Sequence, residues 1–164
     1  MKLKGVRMED FTNYKNPSMY IAFPYCTFKC ERECGQKMCQ NSALATAPNI
    51  EVSAYEIVNR YLDNPITQAI VMAGLEPFDS PLALLELIKE FRQYTDDDII
   101  IYTGYRKDEL THSFPSLTEA YNKVKQFKNI IIKFGRFVPN QQPHYDEVLG
   151  VKLASDNQYA ERIS

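Results

Sequence analysis

The chain has 164 residues and a mass of 19.0 kDa, enough for one domain with a real hydrophobic core and too little for two domains plus a linker. Hydrophobic residues make up 45% and charged residues 24%, a balance that excludes an intrinsically disordered class. The net charge of -2 leaves no basic excess, so direct nucleic-acid binding is not expected.

Met1 to Asp10 lack the apolar stretch of a secretory leader, and no apolar run is long enough to cross a bilayer. A cytoplasmic protein without membrane contact is expected. Met19 to Tyr25 is a short apolar and aromatic run stopped by Pro24, which reads as a buried strand. It delivers the chain into a polar segment, read as an exposed loop, that holds all four cysteines: Cys26, Cys30, Cys34 and Cys39.

Ser53 to Leu62 carries a capping-box pattern, Ser53 with Glu56, and apolar residues at helical spacing. Ala69 to Ala73 is a second apolar strand closed by Gly74, after which Ser80-Pro81 opens an amphipathic helix over Leu82 to Tyr94. Asp98 to Thr103 is a third strand, closed by Gly104. A helical stretch follows to about Phe127, interrupted or restarted at Pro115. Asn129 to Phe134 makes a fourth strand, Val138 to His144 a polar loop, and Val148 to Leu153 one further candidate strand. Strands alternating with helices predict a single α/β domain over residues 1–164, built on a parallel sheet covered on both faces. Its functional loops should gather at the strands' C-terminal ends.

In a reducing compartment, four cysteines within one short segment point to metal ligation or redox work and away from disulfides. Thiolates suit an iron-sulfur cluster or zinc. Three ligands on a cluster of four irons would leave one iron open for substrate, whereas four would close the site. The cysteines alone leave that choice open. His112 and His144, the only histidines, lie far away in sequence and read as surface or loop residues.

Several motifs in order resemble the radical S-adenosylmethionine enzymes, and within them the anaerobic ribonucleoside-triphosphate reductase activating proteins. The strand enters a cysteine loop, and Cys39-Gln-Asn-Ser42 resembles the exit that follows the family's last cluster cysteine. Met72-Ala-Gly-Leu-Glu-Pro-Phe78 resembles the Gly-Gly-Glu-Pro segment, Ile101-Tyr-Thr-Gly-Tyr105 the Trp-Thr-Gly-Tyr strand end, and Ile132-Lys-Phe-Gly-Arg-Phe137 the segment after the fourth strand. Leu153-Ala-Ser-Asp-Asn-Gln158 resembles a Gly-Ser-Ser-Asn-Gln signature near the C-terminus.

The resemblance implies a partial (β/α) barrel with an iron-sulfur loop after its first strand, and a 4Fe-4S cluster on Cys26, Cys30 and Cys39. It also implies S-adenosylmethionine beside Ala73, Gly74, Glu76, Thr103 and Lys133. The implied activity is reductive cleavage to a 5'-deoxyadenosyl radical that installs a glycyl radical on an anaerobic ribonucleotide reductase large subunit, with flavodoxin or ferredoxin as reductant.

The chain also departs from the pattern. Three residues separate Cys30 from Cys34 and eight separate it from Cys39, where the family has two. With Cys39 as third ligand the loop holds an insertion, Glu31 to Met38; Cys34 is the alternative. Ala73 replaces a Gly, Leu75 is added before Glu76, and Lys133-Phe134 stands where an Asp is usual. Another peptide or metabolite target, or a noncatalytic four-cysteine metal or electron-carrier protein, therefore remains in view.

Overall fold

A computed structural model describes residues 1–164. In chain order the strands are β1 (Lys2–Leu3), β2 (Gly5–Asp10), β3 (Ser18–Phe23), β4 (Ile50–Glu51), β5 (Ala69–Gly74), β6 (Asp98–Tyr102), β7 (Ile130–Phe134), β8 (His144–Asp146), β9 (Val151–Leu153) and β10 (Tyr159–Arg162). The helices are α1 (Lys29–Cys34), α2 (Ser42–Thr46), α3 (Ala54–Leu62), α4 (Pro81–Phe91), α5 (Lys107–His112) and α6 (Pro115–Val124), with one 3-10 turn at Pro77–Asp79.

Six strands form the main sheet in the order β10-β7-β6-β5-β3-β2. The four central strands are parallel, as the strand and helix alternation predicts. Both edges run the other way: β2 is antiparallel to β3 and β10 to β7, so the sheet is mixed and open, with no closed barrel. These edge strands carry charged or polar residues such as Arg7, Glu9, Glu161 and Arg162 and lack an apolar run, which hides them from a reading based on hydrophobic pattern. The cysteine segment consequently follows β3, the first parallel strand but the third strand of the chain.

Alternation along the parallel strands divides the core. Ile70, Met72, Ile99, Ile101, Ile130 and Ile132 face the helices in one large cluster with Leu84, Leu87, Phe91 and Val124. Their neighbours Val71, Ala73, Ile100 and Ile131 face the other way. That second face is also covered, but by Tyr14 and by Leu149 and Leu153 around the β8-β9 hairpin, not by helices.

Local signals act where the sequence places them. The Ser53 hydroxyl accepts from the Glu56 amide to cap α3, and Pro81 and Pro115 each occupy a first helical turn. Pro115 thus starts α6, and the helical stretch ending near Phe127 is two helices. α4 stops at Phe91, three residues before Tyr94. The Val148 to Leu153 strand shrinks to β9.

Candidate functional site

The four parallel strands end on one side of the sheet, and a cavity of about 320 Å³ opens there. Cys26, Cys30 and Cys39 line it. Cys34, at the end of α1, is exposed and lies outside the lining.

Pro24 ends β3, and the Glu76 amide donates to the Tyr25 carbonyl at 2.9 Å, fixing the chain as it leaves the sheet. The Thr27 amide donates to Asp79 Oδ2 at 2.8 Å, while the Tyr105 hydroxyl donates to Oδ1 of the same carboxylate at 2.6 Å. Phe28 takes a left-handed conformation, φ 51°, and its amide donates to Cys26 Sγ at 3.2 Å. The chain then turns into α1, so the expected exposed loop contains a short helix. Gly35, φ 68°, ends it. Beyond Cys39, Asn41 Nδ2 donates to the Gly74 carbonyl at 2.7 Å.

The thiols bear on one another. Burial pushes Cys26 up to about 12, with further upward pushes from Glu76, Asp79 and Cys30, against the Phe28 amide. Cys30 is also raised, first by burial and then by Cys39. Without a cation these sulfurs stay protonated; a bound metal centre reverses that preference.

No three His, Cys, Asp or Glu side chains converge as ligands to a single ion. A tetrahedral zinc needs thiolates about 2.3 Å from one point, whereas a cluster of four irons spreads its cysteines around a cube. Cys26, Cys30 and Cys39 lining one roomy cavity are the soft donor set that a cluster takes.

Glu76, 5% exposed, lines the same cavity. Its carboxylate accepts from Thr103 Oγ1 at 2.8 Å, the Gly104 amide at 2.8 Å and the Phe78 amide at 3.1 Å. Burial pushes it up to about 7, opposed by those donors and reinforced by Asp79. Lys133, equally buried, donates to the Gly135 carbonyl at 2.6 Å; burial draws it down to about 7 against the attraction of Glu76. No direct ion pair joins the two. Thr103 also accepts from the Tyr105 amide at 3.0 Å, so its hydroxyl holds Glu76 in place. Ala73 and Gly74 line the same cavity.

Gly74 explains a strict local requirement. Its φ is +87°, and an added Cβ would lie 2.7 Å from Ala22 Cα and 2.8 Å from the Phe23 nitrogen.

Other residues at the site escaped the sequence reading. Arg136 lines the cavity, and its Nη2 donates to both oxygens of buried Glu109, at 3.0 and 2.8 Å. Lys29 of α1 also donates to Glu109, and Glu33 reaches Arg136 Nη1 at 3.2 Å. This network ties the cysteine segment to α5 and to the end of β7. Arg136 was visible within the Lys133-Phe-Gly-Arg-Phe137 motif, but Glu109 carries no sequence signal beyond a helix's first turn.

The Ala154 to Gln158 segment buttresses the site. Gln158 Oε1 accepts from the amides of Ala154 and Ser155, its Nε2 donates to the Gly135 carbonyl, and Asn157 Nδ2 donates to the Arg136 carbonyl. Neither His112 nor His144 lines the cavity.

A cysteine-lined cavity at the ends of the four parallel strands is the setting of an iron-sulfur site. A model of the 4Fe-4S single cluster domain family matches residues 5–158, nearly the whole chain, and the protein belongs to that family, which makes it an iron-sulfur protein. No curated protein and no solved structure gave a match. No helix is long and apolar enough to cross a membrane.

Proposed function

We propose that the protein is a radical S-adenosylmethionine enzyme of the glycyl-radical-activating type, with its cluster on Cys26, Cys30 and Cys39. The observation that carries this reading is the reach of the cavity beyond the three thiols to Glu76, Lys133 and Arg136. An electron carrier needs no such space. About 320 Å³ lies within the range of small-molecule sites, roughly 300–1,000 Å³.

On this reading the open sheet, with helices on one face, is a partial (β/α) barrel forming a single domain. The cofactor pair supplies the reaction itself, one-electron cleavage of S-adenosylmethionine to methionine and a 5'-deoxyadenosyl radical. The chain's residues bind and orient. Glu76, held by Thr103 and Gly104, accepts from the methionine ammonium, while Lys133 and Arg136 offer cationic donors to its carboxylate. Ala73 and Gly74 let the ligand approach the strand end closely.

The substrate is then a glycine on an anaerobic ribonucleotide reductase large subunit in the cytoplasm, with flavodoxin or ferredoxin delivering the electron. The departures at Ala73, Leu75 and Lys133-Phe134 keep another peptide target as the second reading. Cys34, exposed and outside the cavity lining, supports three-cysteine ligation over a closed four-cysteine carrier.

The test is anaerobic reconstitution with iron and sulfide, then dithionite and S-adenosylmethionine. Formation of 5'-deoxyadenosine is expected; an intact reduced cluster that yields none contradicts the enzyme reading. Adding the reductase large subunit should then give a glycyl-radical signal by electron paramagnetic resonance. Cleavage without that signal moves the reading to another target.

A further inference from the structure

The eight residues between Cys30 and Cys39 are the chain's largest departure from the spacing it resembles. Left free, a loop of that length would give Cys39 no defined position beside Cys30, and ordering it would cost conformational entropy. The structure closes it with one side chain. α1 carries the chain outward, Gly35 turns it in a left-handed conformation, and the returning amides of Met38 and Cys39 both donate to Oε1 of Glu31, at 3.2 and 3.1 Å.

Glu31 directly follows Cys30, so these two bonds join the backbone at one thiol to the backbone at another. Arg32, Cys34, Gln36 and Lys37 are left exposed on the closed segment. Its far end is held by the Ser42 amide, which donates to the Cys39 carbonyl at 3.2 Å, and by the Asn41 bond to Gly74.

We infer that Glu31 is a positioning residue, closing the Glu31 to Met38 insertion into a staple that presents Cys39, and not Cys34, beside Cys30 for cluster ligation. The inference rests on the proposed three-cysteine site. Both bonds fall on a single oxygen, so the staple needs an acceptor there and not a charge. A glutamine carbonyl can fill that role, and an alanine cannot.

The experiment compares full-length wild type, Glu31→Gln and Glu31→Ala by amide hydrogen exchange before reconstitution and by iron content and cluster spectrum after it. In Glu31→Ala the Met38 and Cys39 amides should exchange about tenfold faster, the ratio given by a net hydrogen-bond contribution of about 1.4 kcal/mol. Its cluster content should fall severalfold. Glu31→Gln should match wild type in both readouts, and the amides of β5, β6 and β7 should stay protected in all three proteins.

Wild-type exchange or wild-type cluster content in Glu31→Ala overturns the inference, as does a Glu31→Gln protein that falls as far as the alanine variant. Faster exchange spread through the sheet would assign Glu31 to the fold at large and overturn the local role. A cluster-loaded wild type that fails to cleave S-adenosylmethionine would sink the enzyme reading alone, with the exchange and iron readouts still deciding on Glu31.

Discussion

Asn41 and Gly74 meet through a 2.7 Å hydrogen bond that fastens the end of the cysteine segment to the end of β5. Two parts of the site that are distant in sequence are thereby held in one frame. A neutral bond of this kind contributes about 1 kcal/mol. Asn41→Ala should therefore raise KM for S-adenosylmethionine about fivefold and lower cluster content less than Glu31→Ala does, as steady-state cleavage assays and iron determination would show. Asn41→Asp sets one acceptor against another and should lose more.

Gly74→Ala should destabilise the fold itself. The added Cβ meets backbone atoms of Ala22 and Phe23, which cannot swing aside as a flexible side chain would. A loss of about 2 kcal/mol is expected, lowering Tm by about 4 to 8 °C in calorimetry of the metal-free protein. An unchanged Tm would mean that β3 and β5 lie farther apart there.

Glu109 gives the acid side of the stability curve. Burial raises its pKa, but the Arg106 amide, Lys29 and Arg136 outweigh that and hold it below the usual 4.5. A carboxylate depressed in the folded state adds stability that is complete above about pH 4.5 and is lost as the pH falls through its lowered folded value. Arg136→Leu removes the bidentate partner and should cost roughly 3 kcal/mol near neutral pH. Denaturant titrations should show the gap from wild type narrowing below about pH 4.5. A gap of the same size at every pH would contradict this.

Glu76 should set the pH dependence of ligand binding. Its carboxyl, pushed up to about 7 by burial, accepts from an ammonium far more strongly when ionised. Affinity for S-adenosylmethionine should thus weaken as the pH drops through 7, approaching about tenfold per unit below it. Calorimetric binding to the reconstituted protein measures this, and Glu76→Gln should bind weakly and lose the fall on the acid side, keeping only the weakening at higher pH as Lys133, drawn down to about 7 by burial, gives up its charge. Affinity that still falls below pH 7 in that variant would assign the titration to another group.

What the sequence made legible follows from which forces are local. β3, β5, β6 and β7 announce themselves because each is a run of buried apolar residues, and their loops could be placed at one end of the sheet before any coordinate was known. β2 and β10 could not be read, since edge strands are stabilised by pairing with Ile21 or Ile132 in a neighbour and carry charged residues of their own. The cysteines and the motifs around Gly74, Thr103 and Lys133 were visible as residue types. Their convergence on one cavity was not, because it depends on long-range bonds such as Asn41 to Gly74 and Thr103 to Glu76. Glu31 was legible only as part of an insertion. Its role lies in where Gly35 sends the chain, which no spacing rule states.

The central claim, three-cysteine ligation with one iron left for S-adenosylmethionine, is tested most directly by electron paramagnetic resonance of the reduced cluster in Cys34→Ala and Cys39→Ala, recorded with and without S-adenosylmethionine. Cys34→Ala should hold a wild-type cluster whose spectrum shifts when S-adenosylmethionine is added, and Cys39→Ala should hold little or none. Loss of the cluster in Cys34→Ala, or a Cys34→Ala spectrum that S-adenosylmethionine leaves unmoved, would contradict the account.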